Sequence, residues 1–335
     1  MTVSPGSPPR DVLIFTSPKA GSGDGWGKVS DLASVLRSWG IAVEVTAEVT
    51  RLQQRTSHRA DVVESGVGGR PDLVVSAGGD GTLALVAQNT PADTLLTPMP
   101  LGTENLVAKH YRLSNDVADM ADTIRGGWDR RIDAGEANGR LFLVMATCGF
   151  DAEVVRAMHL TRRGHISRFS YFGPIVRAMR RYDFPELVVS VTSPAGSQTE
   201  VPCRWAMVFN LPRYAASLPI ELSADEHDGQ LDFCAFTRGG LLGGFRYLAA
   251  ILARRHIQWQ DVVRGPITEC RVTSSRPVAY QLDGDYAGRL PLVIGVLPGR
   301  IRLRLPAAAL PLTATSLHSS PADLQLSRTR RNVSP

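Results

Sequence analysis

Short apolar runs alternate with amphipathic stretches over the first part of the chain. The runs Asp11–Thr16, Ile41–Thr46 and Asp72–Ala77 have the length and composition of buried strands. After the first run, apolar residues recur at helical spacing and stop before Gly40; these are Val29, Leu32, Ala33, Leu36 and Trp39. Strands that alternate with helices predict a parallel sheet with helices packed on its faces. The first half is therefore predicted to be an α/β domain.

From about Asp133 the apolar runs follow one another closely, and few amphipathic stretches separate them. Two helices are predicted in this half, at Ser167–Arg181 and Leu241–His256. The predicted strands are Leu141–Thr147, Leu187–Thr192, Arg204–Asn210, Gln230–Phe236, Pro277–Leu282, Leu292–Leu297 and Ile301–Leu305. Closely spaced strands joined by short turns are typical of a mainly antiparallel sandwich or barrel.

These patterns divide the chain into four segments. The Ser-, Pro- and Gly-rich residues 1–9 predict a disordered leader, and residues 10–135 contain the α/β domain. Residues 136–306 contain the predicted β domain, and the polar residues 307–335 predict a disordered tail. A chain of 335 residues that is 43% hydrophobic and 21% charged has the size and composition of two folded domains.

Charge, cysteine content and hydropathy narrow the class of protein. The net charge of +5 comes almost entirely from arginine, because the only lysines are Lys19, Lys28 and Lys109. The four cysteines are scattered, which favours free thiols over disulfides or zinc. The longest apolar stretch, Leu241–Ala253, is interrupted by Arg246 and is too short to span a bilayer. We therefore expect a cytoplasmic protein whose membrane contact, if any, is peripheral.

A glycine-rich loop follows the predicted strand Asp72–Ala77. It reads Gly78-Gly79-Asp80-Gly81-Thr82 and leads into the helical stretch Leu83–Gln88. Glycines at a strand-to-helix turn allow close approach of a ligand, and the helix N-terminus offers free N–H groups to phosphate. A carboxylate among such amides suggests a magnesium ion that bridges to a nucleotide. A tight turn with a capping aspartate is the alternative reading.

Two further loops have the composition of phosphate contacts. Residues 17–23 (SPKAGSG) follow the first strand but fit neither the phosphate-loop nor the dinucleotide-binding pattern, so a plain surface loop is an equal alternative. Residues 100–106 (PLGTENL) place Thr103 and Asn105 before an apolar run, which indicates at least a helix N-cap.

The segment Asp225–Gln230 (DEHDGQ) is an acidic turn. Asp225 and Asp228 are three residues apart and are followed by a glycine and the carbonyl of Gln230, and hard cations prefer such oxygen ligands. An acidic turn exposed to water is the alternative that these residues leave open.

Taken in order, these blocks resemble the diacylglycerol kinase catalytic family, which includes bacterial diacylglycerol kinases, sphingosine kinases and ceramide kinases. The resemblance starts with GGDGT at residues 78–82 and PLGTEN at 100–105. It continues through CGFDA at 148–152, FNLP at 209–212, QLDGD at 281–285 and LPG at 297–299. It covers roughly residues 11–306. It implies an α/β fold, with an N-terminal Rossmann-like nucleotide domain followed by a β-sandwich domain and an active site in the cleft between them.

The resemblance also implies roles for individual residues. It places Asp80 in the network around magnesium and ATP, Asp285 as proton acceptor, Asp283 as its acidic neighbour and Asp133 as a further acidic residue of the active site. The nucleotide-binding residues that we expect are Ser17, Lys19, Gly21, Thr46, Gly78, Gly79, Asp80, Gly81, Thr82, Thr103 and Asn105. The metal ligands that it implies are Asp225, Asp228 and the carbonyl of Gln230.

Together these assignments predict a kinase that uses Mg²⁺ and ATP to phosphorylate a hydroxyl group of a diacylglycerol-like or sphingoid lipid.

Three positions depart from the family pattern. Ser17 and Val144 stand where asparagine is common, and Asp285 is one methylene shorter than the glutamate of many bacterial relatives. None of these departures removes a required charge.

Two other functions remain open from the sequence. The first is an NAD kinase-like enzyme, which shares the GGDGT loop, although the later Thr-Pro-Thr-Gly-Ser motif of such enzymes is absent from this sequence. The second is a catalytically inactive lipid-binding relative.

Arginine clusters at residues 156–181 and 246–255 suggest peripheral contact with an anionic membrane surface, and a solvated helix face is the alternative. Aromatic residues do not interleave with the arginines, so nucleic-acid binding is not favoured. The oligomeric state is open, a homodimer included.

Overall fold

The computed structural model describes residues 4–16, 25–57, 69–161, 182–212, 220, 223–253 and 255–309. The first half contains, in chain order, β1 (Ser4–Pro5), β2 (Asp11–Thr16), α1 (Gly25–Ser38), β3 (Ala42–Thr46), α2 (Val49–Thr56), β4 (Leu73–Gly78), α3 (Asp80–Gln88), β5 (Leu95–Pro100), α4 (Leu106–His110) and α5 (Val117–Gly126). Strands β5, β4, β2 and β3 are adjacent in that order and parallel. Strands β4 and β5 are buried along their whole length, which explains their nearly continuous apolar sequences. The predicted α/β domain is confirmed.

The second half is mainly antiparallel. It contains β6 (Trp128–Ala137), β7 (Arg140–Phe142), β8 (Met145–Gly149), α6 (Phe150–Thr161), β9 (Leu187–Thr192), β10 (Gln198–Cys203), β11 (Trp205–Phe209), β12 (Leu231–Phe236), α7 (Leu241–Leu252), β13 (Val262–Ile267), β14 (Glu269–Thr273), β15 (Ala279–Leu282), β16 (Asp285–Arg289) and β17 (Leu292–Leu305). A six-stranded sheet has the order β13-β12-β11-β8-β15-β16. Its apolar inner face packs against the sheet that contains β9, β14 and β17. This is the predicted β-sandwich.

One long strand joins the two halves. The first part of β17 pairs with β14, its last part pairs in parallel with β5, and β6 lies along both parts. The sequence predicted two strands here, Leu292–Leu297 and Ile301–Leu305. The structure has one 14-residue strand instead. An irregularity in the pairing with β6 falls between Leu297 and Ile301, and the backbone absorbs it at Gly299, where φ is +59°.

Other elements also differ from the sequence predictions. The predicted strand Leu141–Thr147 is interrupted, because three of its N–H groups bind the carboxylate of Asp283 instead of a neighbouring strand. The second predicted helix of this half is confirmed as α7 but ends at Leu252. The predicted helix Ser167–Arg181 lies outside the described residues.

The predicted disordered leader is wrong for residues 4–9. Ser4 and Pro5 pair with β6, the Gly6 N–H donates to Gly127 O at 2.8 Å, and Arg304 Nη1 donates to Ser7 O at 2.7 Å. The composition favoured disorder, but these residues are ordered mainly through their backbone. The last described residues form a 3₁₀ turn at Ala307–Ala309, and the rest of the predicted tail lies outside the described residues. No helix in the described residues is long and apolar enough to cross a membrane.

Candidate active site

The carboxyl ends of β2, β3, β4 and β5 meet at one edge of the parallel sheet. Open α/β sheets bind their ligands at this edge. Thr46 is the last residue of β3 and its hydroxyl accepts the Glu48 N–H at 3.1 Å, while Gly78 is the last residue of β4. The structure therefore brings Thr46 to the same edge as the glycine-rich loop. Ser17, Lys19 and Gly21 lie outside the described residues.

The two glycine-containing loops of the nucleotide domain are in backbone contact. The Leu101 N–H donates to Gly78 O at 2.9 Å. A Cβ atom on Gly102 would lie 2.6 Å from the Gly79 Cα atom, so no larger residue fits there without a shift of the backbone. Asn105 has a left-handed conformation, and its side chain binds both the N–H and the C=O of Gly102, at 3.0 and 2.8 Å. The Asn105 side chain thus holds its own loop closed where Gly102 approaches Gly79. The neighbouring Thr103 is exposed.

Asp80 connects the glycine-rich loop to helix α4. Its two carboxylate oxygens accept the N–H groups of Leu106 and Val107 at 2.7 and 3.0 Å. Burial raises the pKa of Asp80, and these two hydrogen bonds oppose the shift because they favour the ionised carboxylate. Each oxygen accepts one of these two hydrogen bonds, so the carboxylate is held in one orientation and keeps lone pairs for a cation or a ligand.

Asp283 and Gly284 form the two-residue turn of the β15–β16 hairpin, with Leu282 paired to Asp285. Both turn residues have positive φ, +50° and +88°, as a type I′ turn requires and as the Asp-Gly sequence favours. The Asp283 carboxylate accepts the N–H groups of residues 143, 144 and 145 at 2.8, 2.9 and 3.0 Å. Burial raises the pKa of Asp283 to about 7, against the three hydrogen bonds.

The hydrogen bonds of Asp283 give it a structural task, and its predicted catalytic role stays a prediction. Its carboxylate is buried and bound to backbone groups, so it anchors the hairpin to the loop between β7 and β8. A buried polar network supports the same turn. Gln281 Oε1 accepts the Gly284 N–H at 2.7 Å, and Gln281 Nε2 donates to Thr147 Oγ1 at 2.9 Å. Thr147 in turn donates to Asp151 at 2.5 Å. The sequence did not predict this support, although Gln281 and Asp151 lie within the motifs that carried the resemblance.

Asp285 follows the turn and reaches the α/β domain. A Cβ atom on Gly81 would lie 2.8 Å from Asp285 Oδ2, so this carboxylate lies directly against the second residue of α3. Asp285 is exposed, whereas Asp283 is tied to the protein interior. The structure thus brings the predicted proton acceptor to the GGDGT loop across the domain boundary.

Asp133, on β6, is buried and accepts two backbone hydrogen bonds. It is 3% exposed, and its oxygens accept the N–H groups of Gly299 and Gly229 at 2.6 and 2.7 Å. It therefore braces the turn at Asp225–Gln230 and the bend in β17. Asp133 therefore has a structural task in this region, and its predicted role in the active site stays a prediction.

The acidic turn has the chemistry of a cation site. Asp225 Oδ1 accepts the His227 N–H at 3.1 Å, and Asp228 Oδ1 accepts the Gln230 N–H at 2.9 Å. The pKa of Asp228 is raised by burial and by the negative charges of Asp225 and Asp133, with the Gln230 hydrogen bond opposing. Carboxylates that repel one another at a turn fit a divalent cation, whose charge would offset the repulsion.

Two family models match the chain over nearly the whole of its described length. The diacylglycerol kinase catalytic domain matches residues 11–137. The YegS C-terminal NAD kinase beta sandwich-like domain matches residues 144–305. The chain belongs to the diacylglycerol kinase catalytic family.

Relatives within this family are distant. A Bacillus subtilis protein described as a diacylglycerol kinase is 25% identical over 224 residues, which are 66% of this chain and 73% of the relative. A Pseudomonas aeruginosa protein described as "Probable lipid kinase YegS-like" is 26% identical over 266 residues, or 74% and 81% of the two chains. A crystal structure of a diacylglycerol kinase from Bacillus anthracis has a TM-score of 0.65 and 21% identity over 90% of this chain and 99% of that one. The structural likeness supports the two-domain fold.

Proposed function

We propose that this member of the family transfers the γ-phosphoryl group of ATP to a hydroxyl group of a diacylglycerol-like or sphingoid lipid. The observation that carries the proposal is the approach of Asp285 to Gly81, because it brings a carboxylate of one domain to the phosphate-binding loop of the other. Phosphoryl transfer requires held phosphates, a cation to spread charge and a group to accept the hydroxyl proton. The cleft edge has residues suited to each of these tasks.

In the proposed reaction the glycine-rich loop and the N-terminus of α3 hold the nucleotide phosphates. The lipid hydroxyl oxygen forms a bond to the γ-phosphorus while the bond from this phosphorus to the β,γ-bridging oxygen breaks, and ADP leaves. Asp285 accepts the hydroxyl proton as the new bond forms. Gly81 leaves room for the Asp285 carboxylate, and Asn105 keeps Gly102 against Gly79.

Magnesium is the cofactor that this function implies. The residues that would hold it are the carboxylates of Asp225 and Asp228 with the carbonyl of Gln230, and Asp80 beside the nucleotide. A bound Mg²⁺ supplies positive charge that offsets the charge on phosphate and carboxylate oxygens. On the protein side, Asp133 shapes the first of these sites through Gly229, and α4 orients Asp80.

A radiolabel transfer assay tests the proposal. Purified protein, Mg²⁺ and γ-³²P-labelled ATP are incubated with a panel that contains diacylglycerol, monoacylglycerol, sphingosine, ceramide and phosphatidylglycerol, with NAD as a separate acceptor. We expect label in at least one extracted lipid and none with Asp80→Ala. Label in NAD would favour the NAD kinase-like alternative. ATP binding without transfer to any acceptor would favour the inactive relative.

We also propose that the protein contacts its lipid substrate peripherally at a membrane surface. The best described candidate surface is near α7, where the Arg246 guanidinium lies 4.0 Å over the Trp259 ring. Arg246 and Arg238 both pair with Asp261 at 2.8 Å, and their side chains are 43% and 67% exposed. Arginine and tryptophan suit a membrane interface. Flotation with vesicles tests the idea, and co-flotation that does not increase with anionic lipid would refute it.

A further inference from the structure

The second residue of the acidic turn, Glu226, lies close to Asp225 and His227 and also contacts the end of α4. Glu226 is 5% exposed, and its Oε1 atom accepts the Tyr111 hydroxyl at 2.5 Å and lies 3.0 Å from His110 Nε2. His110 is the last residue of α4, and Tyr111 follows it. A carboxylate of the sandwich domain therefore binds the C-terminal end of a helix in the nucleotide domain.

His227 lies beside the same carboxylate. Its Nδ1 atom lies 3.0 Å from the carbonyl oxygen of Arg131, and a carbonyl can only accept, so Nδ1 carries a hydrogen. The opposite ring nitrogen, Nε2, lies 3.2 Å from Glu226 Oε1. The ring of His227 thus lies between β6 and Glu226, and its Nε2 atom is close to the carboxylate without a hydrogen bond to it.

Helix α4 is held by carboxylates at both ends. At its N-terminus, Asp80 accepts the N–H groups of Leu106 and Val107. The helix has only five residues, so a shift at its C-terminal end also moves its first turn. Asn105, which closes the loop around Gly102, directly precedes this turn. The position of α4 therefore influences both glycine-containing loops, the one at Gly78–Thr82 and the one at Gly102.

The backbone of Glu226 is equally well fixed. Its carbonyl accepts the Asp133 N–H at 2.8 Å, and the Asp133 carboxylate accepts the Gly229 N–H at 2.7 Å. Asp225 and Asp228 lie on either side of this braced segment. The turn, Glu226 and α4 thus form one continuous set of hydrogen bonds across the domain boundary.

The pKa shifts of Glu226 and Tyr111 are consistent with these contacts. Burial alone would raise the pKa of Glu226, but its interactions with His110, His227 and Tyr111 outweigh it, so the pKa lies well below its ordinary value. Burial and the charge of Glu226 together raise the pKa of Tyr111 well above its ordinary value. The carboxylate therefore accepts and the tyrosine donates at neutral pH.

We propose that Glu226 is a positioning residue for nucleotide binding. By holding Tyr111 and His110 it sets the position of α4, and through α4 it sets the orientation of Asp80 and of the Gly102 loop relative to the acidic turn. The inference rests on the proposed function in that ATP is the ligand whose binding depends on this link.

Isothermal titration of the full-length protein with a non-hydrolysable ATP analogue and Mg²⁺ tests the inference, together with the KM for ATP and kcat in the transfer assay. The variants are Glu226→Gln and Tyr111→Phe, and Glu136→Gln is the matched control because Glu136 is exposed on β6. We expect the Kd and KM for ATP to rise about tenfold in both variants, with a smaller change in kcat and no change in the control. The double variant should bind no more weakly than Glu226→Gln alone, because both substitutions break one link.

Circular dichroism and thermal unfolding of each variant report how much of it is folded. Variants that unfold at lower temperature but bind the analogue with unchanged affinity per folded molecule would show a merely structural role and overturn the inference. If the unmodified protein bound no ATP analogue, the proposed function would fail as well. Binding by the unmodified protein and by all variants with equal affinity would overturn only the positioning role.

Discussion

Asp283 and Asp285 are two residues apart in sequence and have opposite surroundings. The carboxylate of Asp283 is bound by three backbone N–H groups, whereas Asp285 is exposed and faces Gly81. The family resemblance identified both as candidate acids, and the hydrogen-bond partners show that Asp283 also anchors its hairpin. The same reasoning applies to Asp133, whose oxygens accept backbone N–H groups. The acidic residue was predictable at all three positions, and these contacts were not, because the partners are distant in sequence.

The proton-acceptor role of Asp285 leads to a comparison of two substitutions. Asp285→Asn removes the basic oxygen with almost no change in shape, so we expect kcat to fall by about 10²- to 10⁴-fold. Asp285→Glu keeps the carboxylate and should retain more activity than the asparagine variant. Initial rates of radiolabel transfer measure both. Equal rates for Asp285→Asn and the unmodified protein would exclude Asp285 as the base.

Gly81→Ala separates catalysis from stability. The added methyl group would lie 2.8 Å from Asp285 Oδ2 and must displace this carboxylate, so we expect transfer to slow by about 10- to 100-fold. Alanine also favours a helical backbone, so the free energy of unfolding should not fall. Gly126→Ala is the control, because nothing lies within 4 Å of its added methyl group. Urea unfolding and transfer rates are measured on both. Unchanged transfer in Gly81→Ala would show that the contact has no functional role.

Asp283→Ala tests the anchoring role. The substitution leaves three buried N–H groups without their acceptor, so we expect the free energy of unfolding to fall by about 3 kcal/mol or more. Asp122→Ala is a control, because the Asp122 side chain is 65% exposed. Equilibrium urea denaturation gives both values. A loss as small as that of the control would contradict the anchor.

At the scale of the element, sequence patterns predicted the bounds of some strands correctly and missed others. The strands Asp11–Thr16 and Leu187–Thr192 have the bounds that were predicted. The strands β6 and β14 were not predicted, because their sequences, WDRRIDAGEA and ECRVT, mix charged and apolar residues. Strand β14 pairs with β9 and β17, and β6 pairs with β17 as well as with the adjacent β7. Pairing with neighbouring strands stabilises these two segments although their own sequences do not predict a strand. The periodicity of one segment gives no information about such pairing.

The ion pairs between α2 and β3 lead to a prediction of how the stability of the protein depends on pH. Glu44 on β3 accepts hydrogen bonds from Arg51 and Arg55, and mainly the bond from Arg51 lowers the pKa of Glu44 despite partial burial. A lowered native pKa stabilises the fold above the unfolded-state value of about 4.3, and this contribution is lost as the pH falls through the native pKa. The urea midpoint of the unmodified protein should exceed that of Glu44→Gln at about pH 6, and the difference should shrink toward about pH 3. A difference that grows on acidification would contradict this assignment.

At the scale of the whole molecule, the order of motifs predicted two domains and a cleft between them. It did not predict that β17 would continue from the sandwich sheet into the parallel sheet, where Arg302 and Leu303 pair with Leu95 and Leu96. This shared strand and the Glu226 link join the two domains, and the Asp283 anchor holds the hairpin that carries Asp285. Through them, residues separated by some two hundred positions in sequence, Gly81 and Asp285, are in contact.

The crystal structure of the protein with Mg²⁺, a non-hydrolysable ATP analogue and a short-chain lipid tests the central claim most directly, through the distance between the Asp285 carboxylate and the γ-phosphorus. If one nucleotide is shared by both domains, the phosphates lie on the Gly78–Thr82 loop. The nearest Asp285 oxygen then lies within roughly 6 Å of the γ-phosphorus, which leaves room for the acceptor hydroxyl between them. A nucleotide bound elsewhere, or a γ-phosphate on this loop with Asp285 turned away from it, would contradict the account.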